Sequence, residues 1–154
     1  MDNEQRNLTG ESGSPFDETA SSDTMISAAL GVATALGGGF LCGWMIDQFA
    51  PVGSISLWAL GFVSGLAANK FTQSRSNTMA CTLVVACVLA FVVAEVCWIR
   101  WNIQGVETWT DAIAKFPLFL KQFRIDAFIA ALFTFFGCQA IYRQTAAGRI
   151  TLAG

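Results

Sequence analysis

The sequence predicts an all-α fold: an integral membrane four-helix bundle with a disordered N-terminal tail. Three observations carry that prediction. Four apolar stretches, at about residues 26–46, 53–68, 79–99 and 125–142, approach the length of a bilayer crossing. A helix needs roughly 20 mostly apolar residues to cross a hydrocarbon core of ~30 Å. Charged residues make up 13% of the 154-residue chain, where a soluble domain carries about 25%. The mean hydropathy is +0.52. The second and fourth stretches are the shorter ones and must tilt little, thin the lipid or borrow flanking residues.

Residues 1–24 are polar and acidic. Asp2, Glu4, Glu11, Asp17, Glu18 and Asp23 face a single base, Arg6. Too little apolar surface is available there to offset the entropy of ordering, so the tail is expected to be disordered. A secretory signal opens on basic residues ahead of a short apolar run and a cleavage site. This leader is long and acidic, and the first helix is expected to be retained. Ser22 or Asp23 can accept the free N–H groups of its first turn.

The transmembrane domain is expected over residues 25–145. In the first helix Gly31, Ala35, Gly39 and Gly43 recur every fourth residue and so share a face. Small residues at that spacing let helix backbones approach closely in lipid. Gly61 and Gly65 repeat the device in the second helix, after a short connection at Asp47–Val52 that contains Pro51. A tight hairpin between these two helices follows as the packing expectation.

The polar link Asn69–Thr78 carries Lys70 and Arg75, and Asn77 or Thr78 can cap the third helix. That helix is apolar on every face, with Glu95 as its one charge, and Trp98 and Trp101 follow at interfacial depth. Residues 100–124 suit either an interfacial helix at about 108–121 or a loop packed on the bundle. Thr108 or Thr110 can cap a helix there, and Pro117 would end or kink it. Phe116, Leu118, Phe119, Leu120 and Phe123 alternate with Lys115, Lys121 and Arg124, as in a helix lying among headgroups. The fourth span is rich in phenylalanine, and residues 146–154 form a short tail.

Orientation follows lysine and arginine in short loops. Lys70, Arg75, Arg143 and Arg149 lie on one side and the first link has no base, which places both termini in the cytoplasm. Arg100, Lys115, Lys121 and Arg124 in the long third link oppose that bias.

Asp47, Glu95, Arg100, Arg124 and Asp126 fall near one end of such a bundle. Glu95 lies about one turn inside the expected helix end, ~6 Å at 1.5 Å per residue. An intramembrane acid is costly unless paired or protonated. The group therefore suits a structural ion-pair cluster or a proton- or ion-handling site. No catalytic residues are assigned: the chain has no histidine, no phosphate-binding glycine loop, no H-E-x-x-H and no nucleophile elbow. Cys42, Cys81, Cys87, Cys97 and Cys138 include no C-x-x-C pair and are read as small buried hydrophobes. No metal site and no cofactor are expected, and without clustered bases no nucleic-acid partner is expected either.

The chain resembles a broad family of small bacterial four-helix integral membrane proteins without an assigned activity. The resemblance spans about residues 26–145. It rests on the glycine-rich first helix, on Leu57-Trp58-Ala59-Leu60-Gly61-Phe62-Val63-Ser64-Gly65-Leu66-Ala67, on Arg124-Ile125-Asp126-Ala127-Phe128 and on the closing Ala140-Ile141-Tyr142-Arg143. Some relatives carry a metal-binding ribbon where this chain has its acidic tail. The resemblance implies a fold and a location, lends no catalytic residue and draws attention to Asp126.

The functional expectation is a non-enzymatic helix-packing or assembly component of a membrane complex. Its surroundings would be the lipid bilayer of a bacterial cytoplasmic (inner) membrane, with a homo-oligomer or membrane-protein partner. The alternative is a small channel or transporter subunit using Glu95 and Asp126.

Overall fold

The computed structural model describes residues 25–71, 77–122 and 124–145. The expected disordered tail 1–24, its caps Ser22 and Asp23, the bases Arg75 and Arg149, and the tail 146–154 lie outside the described residues. Within them the chain is all-helical. We number the helices α1 (Met25–Phe49), α2 (Ile55–Phe71), α3 (Asn77–Asn102), α4 (Trp109–Gln122) and α5 (Arg124–Thr145). Four segments, Met25–Phe49, Val52–Phe71, Asn77–Asn102 and Ile125–Thr145, are long and apolar enough to cross a membrane. Each runs a few residues beyond its expected apolar stretch, because helical hydrogen bonding continues into the polar flanks.

The bundle is two hairpins laid side by side. α1 packs on α3 and α2 packs on α5, while α3 and α5 close the centre. The glycine-lined hairpin expected between α1 and α2 is therefore not the arrangement found. Those two helices touch at Gly38 against Leu60 and at a buried hydrogen bond between the Thr34 and Ser64 hydroxyls, 2.9 Å. The glycine faces look elsewhere. A Cβ on Gly39 would lie 2.8 Å from the Ala90 carbonyl oxygen, and one on Gly43 2.9 Å from that of Ala94. On α2, a Cβ on Gly61 would lie 2.5 Å from the Cα of Gly137 in α5. The physical reason is that spacing places small residues on a face without naming the helix that fills it.

α1 is not α-helical throughout. Over Ala33–Gly38 it widens into a π-helical turn that ends at the Gly37-Gly38-Gly39 run. The widening solves a geometric problem. At 3.6 residues per turn a four-residue step drifts ~40°, so the three steps from Gly31 to Gly43 would drift ~120°. A π-turn absorbs about one extra residue and rotates the helix back by ~100°. Gly31 then faces Thr82 and Ala86, Gly39 faces Ala90, and Gly43 faces Ala94, all on α3.

A 3₁₀ turn, Ala50–Ser54, joins α1 to α2. Gly53 is pressed against the Met45 carbonyl and Ile46, where any Cβ would collide, and the Ser56 hydroxyl donates to the Gly53 carbonyl at 2.6 Å.

The segment that sequence left open between helix and loop contains α4. Its start is a reciprocal cap of the kind that satisfies free N–H groups at a helix N-terminus. The Asp111 amide donates to the Thr108 hydroxyl oxygen (3.1 Å), while the Thr108 amide (3.2 Å) and hydroxyl (2.8 Å) donate to the Asp111 carboxylate. These bonds hold the Asp111 carboxyl below its usual range, the Thr108 hydroxyl contributing most. Pro117 does not end this helix, which continues to Gln122. Ala112, Phe116 and Phe119, at i, i+4 and i+7, turn toward Val96, Ile99, Val106 and Ala127. Trp109, Ile113 and Leu120 form an adjoining exposed apolar flank. α4 thus covers the end of the bundle where α3 stops and α5 starts.

Candidate functional site

The charged residues singled out in the sequence fall at the end roofed by α4. Glu95 is 3% exposed on α3. Because α3 continues to Asn102, Glu95 is about seven residues, ~10 Å, from the helix end. Asp126, exposed in the first turn of α5, is the acid whose charge reaches it. Among the described residues, no hydrogen bond to the Glu95 carboxyl is seen.

Asp47 and Arg100 turn to other partners. One Asp47 carboxylate oxygen accepts from the Asn102 amide at 2.6 Å, tying the end of α1 to the end of α3. The other accepts from Gln48 at 2.9 Å. The Arg100 guanidinium donates to the Val106 carbonyl at 2.9 Å, and Lys115 donates to the Gly105 carbonyl at 3.3 Å. Together they hold the α3–α4 turn, in which Gly105 adopts φ +75°, a left-handed conformation glycine enters without a Cβ penalty. Arg124 opens α5, and its side chain is not among those described. The structure thus places Glu95 and Asp126 toward the same end of the bundle and directs Asp47 and Arg100 to neutral amides and carbonyls.

Chemically, a buried carboxyl can bind a proton or a cation. The buried Thr34–Ser64 pair can only donate and accept hydrogen bonds, and each hydroxyl satisfies the other in a medium where an unpaired one is costly. Sequence reasoning passed over Thr34, Ser64 and Asn102. Their signal was present as polar side chains inside or at the end of apolar runs, but attention went to formal charge.

The six small residues singled out for packing are placed as follows. Ala35, Gly39, Gly43, Gly61 and Gly65 are buried, and Gly31 is buried against Thr82. Gly65 faces the Gln144 side chain. Cys42, Cys87 and Cys97 are buried and Cys138 is half-buried, its thiol 3.8 Å from the Val84 carbonyl, whereas Cys81 is exposed.

Compared with known proteins, the chain matches no family model, no curated protein and no solved structure.

Proposed function

We propose that this protein is a non-enzymatic four-span component of a membrane assembly, resident in a bacterial cytoplasmic membrane with both termini in the cytoplasm. Its kinship with small four-helix membrane proteins is part of the same proposal. The supporting observation is a second small-residue seam on α1. Gly39 and Gly43 are closed over by α3, but Ala29, Ala33 and Gly37 are exposed along the opposite side, and a Cβ on Gly37 would meet nothing within 4 Å. Such a seam admits a partner helix at close range. Gly37→Leu would fill it without touching the fold. The test is the mass of the native complex in mild detergent. The assembly reading requires a complex larger than the monomer that Gly37→Leu dissociates while the melting temperature holds. A wild-type protein that runs as a bare monomer sinks it.

A second role, using Glu95 and Asp126, is favoured by the burial of Glu95. A small channel or transporter subunit would conduct protons or cations past these acids, consistent with the scarcity of charge elsewhere in the spans. Glu95→Gln should then lower flux into liposomes. Flux equal to that of empty liposomes removes the idea.

A further inference from the structure

Beyond assembly, and resting only on the membrane placement of the spans, we propose that the outer groove between α2 and α5 binds one anionic phospholipid. Trp58 and Phe62 stack with centroids 6.1 Å apart and form one wall; Phe136 forms another. Gln139, Arg143 and Gln144 line the rest. The groove is therefore apolar along its length and cationic at one end.

Charge selects the ligand. Arg143 is exposed in the last turn of α5, and among the described residues no acid pairs with it. A guanidinium at that depth, flanked by aromatic rings, needs an anion, and a phosphate matches its fork of donors.

Position selects a lipid over a soluble phosphate. Gly65 abuts Gln144, so the polar end of the groove lies toward Lys70 in the last turn of α2. Basic pockets between spans at that level meet lipid headgroups. The space is about 270 Å³. A phosphate with its first methylenes fits there, and the acyl chain continues along Phe136, Phe62 and Trp58.

The test is tryptophan quenching in vesicles containing brominated phosphatidylglycerol or brominated phosphatidylcholine at equal mole fraction. The anionic lipid should quench more strongly, and Trp58→Phe should remove most of that excess. Arg143→Gln should weaken the anionic preference about five-fold, while Lys70→Gln, at the same membrane level, leaves it in place. Arg143 is exposed, so the variant keeps its fold. Equal quenching by both lipids would overturn the proposal. So would a preference that survives Arg143→Gln, or one that Lys70→Gln lowers equally, which would mean diffuse surface attraction. Competition by inorganic phosphate would assign the site to a soluble anion. Cross-linking of two copies through the groove, without lipid preference, would assign it to a second chain.

Discussion

The two sides of α1 are built from the same residue types and meet opposite surroundings. On one side a Cβ at Gly39 would sit 2.8 Å from a backbone oxygen of α3; on the other a Cβ at Gly37 would meet nothing within 4 Å. A glycine in these helices is thus either a contact that no side chain can replace or a vacancy that any side chain can fill. Only the neighbour decides which. The same holds for α2, where Gly61 rests on the backbone of Gly137.

Substitutions should separate these cases by size. Gly61→Leu should have the largest effect, because the obstructing atoms are backbone and cannot rotate away; a loss beyond about 3 kcal/mol, the upper range for overpacking, is expected from unfolding in mixed micelles. Gly39→Leu should cost about 3 kcal/mol, because the Ala90 carbonyl oxygen and the Val93 Cβ are fixed by the backbone and only the Val93 Cγ1 can turn away. Equal stability of Gly39→Leu and Gly37→Leu would break the contrast between the two sides. Thr108→Ala should cost about 1 kcal/mol by removing the cap of α4, read as faster amide exchange in its first turn.

The cap also carries a pH dependence. The folded Asp111 carboxyl titrates below its unfolded value, so its contribution is complete above the ordinary carboxylate range and disappears as pH falls through the lower, folded value. The protection of the amides at the start of α4, after correction for the intrinsic exchange rate at each pH, should fall on acidification below about pH 5, and Thr108→Ala should weaken that trend, leaving the bond from the residue-108 amide to the carboxylate. Thr34→Val should cost about 1 kcal/mol, because it leaves the buried Ser64 hydroxyl without its partner. Gly37→Leu should change stability by less than about 0.5 kcal/mol, while acting on assembly.

Much of this architecture was legible in the sequence, for a specific reason. Apolar run length reports the solvent directly, so the four long apolar helices could be read from residues 26 to 142. Helix partners could not. The Gly31-Ala35-Gly39-Gly43 repeat marks a close approach, but whether α2 or α3 fills it depends on contacts far apart in the chain. The π-turn that aligns the repeat was hidden as well, because glycine runs permit a wider turn without requiring it. Pro117 was read as a helix end or kink, and it does not end α4: it stands inside the helix and removes the one bond its missing N–H would have made, while the packing of Phe116 and Phe119 carries α4 past it. Asp47 and Arg100 were legible as charges and not as partners, since Asn102 and the Val106 carbonyl carry no formal charge to advertise them.

The side-by-side pairing of the hairpins has a consequence for biosynthesis. When α1 and α2 leave the ribosome, the surfaces that fit them best are still untranslated. On the proposed membrane placement, the early half dwells in the bilayer with its glycines against acyl chains until α3 and α5 arrive. Folding is then a property of the whole translated span, and a product cut short after α2 would be the form that membrane proteases meet.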